Sequence, residues 1–212
     1  MKKDKGQEVQ TSALIEERSP NYGAIEFQML DIGKLHESPD NPRKRFEEDA
    51  LNELAESIRS RGIYTPLIVR ANSDGYEIGA GHRRFRASKK AGLAQVPCIV
   101  RQLTDDEFLE LLVIENDQRE DVHPLEEAEG YFALSRRPGY DTPKIAARIG
   151  RSIKYVYDRL KLLSLIKEAQ KLFLENKFSA GHAILLARLS PSEQAKAMKD
   201  KEDMRILFLL SG

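Results

Sequence analysis

The sequence holds little that could crosslink it or carry it across a membrane. Its one cysteine, Cys98, rules out an internal disulfide and points to a reducing, cytoplasmic setting. Its apolar runs are short, and none approaches the roughly 20 residues of a membrane-spanning helix, so no membrane partner is expected. The opening Met1-Lys2-Lys3-Asp4-Lys5 is charged with no apolar stretch behind it, which is not the pattern of a secretory signal. There is no internal repeat and no low-complexity tract. What remains is a chain of 212 residues, 41% hydrophobic and 32% charged, long enough for two small domains or for one domain with an appended module.

Net charge is also lacking, since 34 basic and 34 acidic side chains cancel, but they are not evenly spread. Residues 83–101 carry Arg83, Arg84, Arg86, Lys89, Lys90 and Arg101 and no acid. Residues 104–129 carry eleven acids against Arg119 alone, and residues 136–161 carry eight Lys or Arg against Asp141 and Asp158. A charge run is ordinarily a solvated face. Here each basic block coincides with a motif, which favours anionic ligands.

Residues 1–22 are polar and without periodicity, the composition of a disordered tail. Residues 25–35 suggest a strand leading into a turn, and Pro39-Asp40-Asn41-Pro42 has turn chemistry. The spacing of Leu51, Leu54, Ala55 and Ile58 predicts a helix over residues 47–61, with Gly62 as its stop. Strands are expected over 67–70 and 76–78, around the turn Asn72-Ser73-Asp74-Gly75, and over 96–100. A basic helix between them ends near Gly92. After Leu103 every segment reads as helix. Thr104 with Glu107 forms a capping box, Pro124 opens a helix to about Ser135, and Thr142-Pro143, Ser152, Ser179 and Ser190-Pro191 mark further starts. The fold class is therefore α+β: a small α/β unit over 23–120, then an all-helical unit over 121–212.

Within the helical unit, residues 142–163 have helix-turn-helix spacing. Thr142 caps a short helix whose inner face is Ile145, Ala146 and Ile149, and Gly150 suits the turn four residues after the small Ala146. Ser152 caps the second helix, in which Val156, Leu160 and Leu163 point inward. That helix would enter a major groove by its N-terminal part. Arg151, Ser152, Lys154, Tyr155 and Arg159 are the candidate DNA-binding residues, reaching phosphates or base edges. A plain helical hairpin with a basic surface has the same spacing, and the local excess of basic charge favours the DNA reading. Tyr155 and Tyr157 serve either base contact or packing.

Two further elements carry polar chemistry. Gly79-Ala80-Gly81-His82-Arg83-Arg84 follows a strand and opens a helix, so backbone N–H groups, a helix dipole and two arginines converge as an anion cradle requires. It is neither a Walker loop nor a Rossmann fingerprint, and a tight turn before a basic surface helix would look the same. Glu115 and Asn116 supply hard oxygens of the kind that suit Mg²⁺ when phosphates complete its shell, and Arg119 suits a phosphate. A polar helix end would also read this way.

Together these pieces resemble the ParB family. Asn41-Pro42-Arg43-Lys44-Arg45-Phe46, the stretch 62–69 (GIYTPLIV), the stretch 79–87, the stretch 115–128 (ENDQREDVHPLEEA), the helix-turn-helix and Ser179-Ala180-Gly181-His182-Ala183 occur in the family's order over about residues 25–190. The resemblance implies a ParB/sulfiredoxin-like domain that binds CTP with Mg²⁺, followed by a domain for a centromere-like DNA site. It implies a homodimer that closes on DNA as a nucleotide-gated clamp, a ParA-type ATPase as partner, and a cytoplasmic, nucleoid-associated location. Carried over by position, Arg43, Thr65, Pro66, Gly79, Ala80, Gly81, His82, Arg83 and Arg84 hold the nucleotide, with Glu115, Asn116 and Arg119. Glu115 and Asn116 also hold the metal, and Arg119 links the nucleotide site to the clamp.

Two departures alter those expectations. The family loop usually reads Gly-Glu-Arg-Arg, and His82 stands in place of the glutamate tied to metal binding and hydrolysis. A neutral imidazole is a poor Mg²⁺ ligand, so CTP hydrolysis is expected to be weak or absent. Members also usually end in a dimerisation domain, whereas this chain stops at Leu209-Leu210-Ser211-Gly212. The expectation is a truncated chain or a member that dimerises otherwise. A transcriptional regulator or nucleoid-occlusion factor on the same scaffold is an alternative. An enzyme is another, since the fold also resembles sulfiredoxin and a free-serine kinase. Sulfiredoxin needs a cysteine in the glycine loop, where this chain has Gly81, and Cys98 lies in a strand as a packing residue.

Overall fold

The computed structural model describes residues 25–42 and 46–199. The expected tail, Arg43 and the apolar run near the end of the chain lie outside the described residues.

Five strands form one mixed sheet: β1 (Ile25–Asp31), β2 (Leu35–Glu37), β3 (Leu67–Asn72), β4 (Gly75–Ala80) and β5 (Gln95–Arg101), in the order β1-β5-β3-β4-β2. β1 pairs antiparallel with β5 and β3 antiparallel with β4 across the expected Asn72–Gly75 turn, while β3–β5 and β2–β4 are parallel. The expected first strand breaks into two. A 3-10 turn at Ile32–Lys34, held by the Asp31 carboxylate accepting from the Gly33 N–H at 2.8 Å, separates β1 from β2. One face of the sheet buries Leu67, Val69, Ile78, Val96 and Cys98 under Phe85 of helix α2 (His82–Ala91). Helix α1 (Glu48–Arg61) packs against α2 through Ala55, Ile58 and Ala87.

The other face receives helix α3 (Asp105–Asp117), which opens on the expected Thr104 and Glu107 capping box. A Cβ on Gly79 would lie 2.7 Å from Leu111 Cδ2 and 3.0 Å from Phe108 Cε2, so Gly79 is needed for α3 to approach β4. The second side of α3 buries Leu109 and Val113 against Tyr131 and Leu134 of α4 (Pro124–Ser135), Ile145 and Ala146 of α5 (Thr142–Ile149), and Val156 of α6 (Ile153–Lys161). A further cluster joins Leu125 and Ala128 of α4 to α7 (Lys167–Leu174), α8 (Ala180–Leu186) and α9 (Pro191–Lys199).

The starts read from Pro124, Ser152, Ser179 and Pro191 hold. One local expectation changes. Asp141, not Thr142, caps α5: its carboxylate accepts from the Lys144 N–H at 2.9 Å, and Thr142 becomes the first helical residue. Helix α7 falls in the stretch expected to be helical but has no start signal of its own, because Ile166 precedes it and no side chain caps it.

Candidate nucleotide cavity and nucleic-acid interface

Gly81 is the pivot of the anion cradle. It caps α2 in the left-handed region, at φ 98°, and a Cβ there would stand 3.0 Å from the Arg84 guanidinium and 3.2 Å from Leu67 Cγ. Both the backbone and the space require glycine. Arg84 Nη1 donates to the carbonyls of Pro66, at 2.6 Å, and Thr65, so these two residues serve through their backbones, as anchors for an arginine. Burial lowers the pKa of Arg84 from its ordinary value, and the nearby Glu115 carboxylate opposes that shift. A cavity of about 480 Å³ opens in front, lined by Gly81, His82, Arg83, Arg84, Glu115, Arg119, Glu120 and Asp121. Gly79 and Ala80 are buried in β4 and do not line it. Arg83 is exposed and also borders an adjoining cavity of about 460 Å³ between the starts of α1 and α4.

The last turn of α3 forms the opposite wall. Glu115 faces the cavity, but Asn116 is only 2% exposed, and its Oδ1 accepts from Arg119 Nη1 at 2.7 Å. Arg119 also pairs with Asp121 at 2.9 Å and Glu126 at 3.3 Å. Of the two expected metal ligands, one thus presents its oxygens and the other is turned away. Among the described residues no three His, Cys, Asp or Glu side chains are grouped to hold a metal. This fits Mg²⁺ only in its common mode, with one carboxylate and the rest of the shell from phosphates and water.

In the helix-turn-helix, Ile145, Ala146 and Val156 are buried, and Gly150, at φ 74°, lets the Arg151 N–H reach the Ala146 carbonyl at 3.0 Å. Arg151, Ser152 and Lys154 lie exposed around the start of α6, where Ser152 caps the Tyr155 N–H at 3.1 Å and Lys154 pairs with Asp158. Tyr155 and Arg159 point the other way, into α4. Ile153, Tyr157 and Lys161 share the exposed face instead. The helical period held that signal: Arg159 follows the inward Val156 by three residues and so flanks the buried side.

The arginines of this region meet an unexpected row of acids. Glu110, Asp117 and Glu127 are buried, and each takes one tyrosine hydroxyl and one arginine. Glu110 accepts from Tyr140 and pairs with Arg148 at 3.5 Å. Asp117 accepts from Tyr131 and pairs with Arg151 at 3.3 Å. Glu127 accepts from Tyr155 at 2.7 Å and pairs with Arg159. Burial first, then the carboxylate bond, pushes all three tyrosines above their ordinary pKa, so they remain neutral donors. Part of the acidic block is therefore an internal docking row for the helix-turn-helix.

Residues 16–117 match the ParB N-terminal domain and residues 120–204 the ParB HTH domain. The chain is 44% identical over 171 residues to the chromosome-partitioning protein Spo0J of Thermus thermophilus, covering 81% of this chain and 63% of that one, so it spans less than two thirds of that relative. The C-terminally truncated chromosome-partitioning protein ParB of Caulobacter crescentus, solved complexed to the centromeric parS site, is 34% identical, covers 87% of this chain and 98% of its own, and aligns with a TM-score of 0.65. The same protein complexed with CTP-gamma-S is 38% identical, covering 82% of this chain and 99% of its own, with a TM-score of 0.42. With both units matched in order and a truncated relative matched nearly end to end, this chain belongs to the ParB family of chromosome-partitioning proteins.

Proposed function

We propose that this chain is the nucleotide- and DNA-binding part of a partition protein, which recognises a parS-type site through α5 and α6 and binds CTP in the cavity before α2. The observation that carries the reading is the shared use of α3. Its last turn lines the anion cavity with Glu115 and grips the helix-turn-helix with Asp117. The DNA half is supported by the exposed basic start of α6 and by the parS complex of the Caulobacter relative. The nucleotide half is supported by a cavity lined by Gly81 and the exposed Arg83, with Arg84 held in its wall by the Thr65 and Pro66 carbonyls. CTP and Mg²⁺ follow the family resemblance, as do the homodimeric clamp and the ParA-type partner.

A thermal-shift screen of the four NTPs with Mg²⁺ tests the first half, and a rise with CTP alone is expected. No shift with any nucleotide, with or without parS DNA, would sink it. Fluorescence anisotropy on parS and scrambled duplexes tests the second. Lys154→Ala is expected to weaken both and lower the salt slope by about one. His82 lines the cavity where the family carries glutamate, so phosphate release from CTP is expected to be slow and His82→Glu to raise it.

A further inference from the structure

Of the two candidate DNA arginines that carboxylates hold, one is enclosed and the other is presented. Arg159 gives Nε to Glu127 and Nη2 to the Tyr155 hydroxyl at 2.9 Å, and its side chain is 15% exposed. Arg151 gives only Nε, to Asp117 Oδ2 at 3.3 Å, and its side chain is 43% exposed. Among the described residues neither terminal nitrogen of Arg151 donates a hydrogen bond. The guanidinium lies 5.2 Å from the Tyr155 ring centroid. Asp117 is itself fixed, because its other oxygen accepts from the buried Tyr131.

We propose that Asp117 is a positioning residue for DNA: anchored by Tyr131, it holds Arg151 by Nε and leaves the forked outer edge of the guanidinium directed at the DNA beside the start of α6. The inference rests on the DNA-binding reading above and names a residue, outside the helix-turn-helix, through which that reading operates. A guanidinium gripped at Nε keeps both terminal nitrogens for a phosphate or a guanine edge, and it has already lost the rotamer freedom that binding would otherwise remove. A lysine has no Nε to be gripped in this way.

The test is a double-mutant cycle on parS and scrambled duplexes, read by anisotropy in the full chain. Asp117→Asn is expected to weaken binding about tenfold, and to add less than about twofold once Arg151→Gln is present, as neighbours acting through one contact do. Tighter binding by Asp117→Asn would mean that Asp117 restrains Arg151, and multiplicative losses would mean that it does not act through Arg151. Either result overturns the proposal. If Asp117→Asn fails to fold, Arg151→Lys decides: reduced binding supports the proposal and unchanged binding overturns it. A wild-type chain that binds neither duplex removes this inference and the DNA reading together, whereas binding with multiplicative losses removes the inference alone.

Discussion

Arg83 and Arg84 are neighbours in sequence, yet they have separate tasks. Arg84 is spent on the Thr65 and Pro66 carbonyls, while Arg83 is exposed between two cavities. Arg83→Ala is therefore expected to abolish the CTP-induced thermal shift and leave the unliganded melting temperature within about a degree, since surface substitutions change stability little. Arg84→Ala is expected to lower both, because two carbonyls lose their donor. Gly81→Ala follows from the same geometry. An L-residue at φ 98° costs at least about 1–2 kcal/mol, and its Cβ displaces Arg84. Thermal unfolding and CTP titration check all three variants. These residues were legible in the sequence as a glycine-arginine turn. The division of labour was not, because the Thr65 and Pro66 carbonyls arrive from a loop 19 and 18 residues away.

Among the elements, legibility followed local chemistry. Caps and turns are decided within four residues, so the Thr104 box, the Ser179 cap, the Pro124 start and the Asn72–Gly75 turn could be read directly. α7 has no such signal, and β2 is three residues long. The acidic helices misled for a different reason. Glu110, Asp117 and Glu127 look like a wet face until tyrosines and arginines 14 to 38 residues away close over them. One ion pair also links elements within the N-terminal unit. Glu37 of β2 receives two bonds from Arg86 of α2, at 2.6 and 2.7 Å, and the same guanidinium lies over the Phe46 ring ahead of α1. The bond from Arg86 is the main reason that Glu37 titrates below its ordinary 4.5. A lowered carboxyl pKa stabilises the fold above the unfolded value, and that stabilisation is lost as pH falls through the folded value. Glu37→Gln is thus expected to melt below wild type at pH 7, with the gap closing as pH drops under about 4.5. A gap that stays constant between pH 7 and pH 3 would show that the charge is not responsible.

Across the whole molecule, α3 belongs to both units at once. Phe108 and Leu111 close one face of the sheet at Gly79, while Leu109 and Val113 complete the core around Tyr131, Leu134, Ile145 and Val156. Its faces are therefore nearly all apolar or occupied by buried acids, as expected of a helix enclosed on two sides. A boundary drawn at residue 120 divides the sequence by composition, but it strips the helical unit of part of its core. A fragment beginning at residue 120 should lose the Asp117 and Glu110 partners of Tyr131, Tyr140, Arg148 and Arg151 as well as two core side chains. It is expected to melt broadly, without a cooperative transition. A fragment beginning at residue 103 keeps α3 and its capping box and is expected to unfold in one sharp step, at the cost of exposing Phe108 and Leu111. Circular dichroism melts of the two fragments decide the matter. If both unfold with the same sharpness and midpoint, α3 is an appendage of the sheet domain, and the nucleotide cavity cannot act on the helix-turn-helix through a shared core.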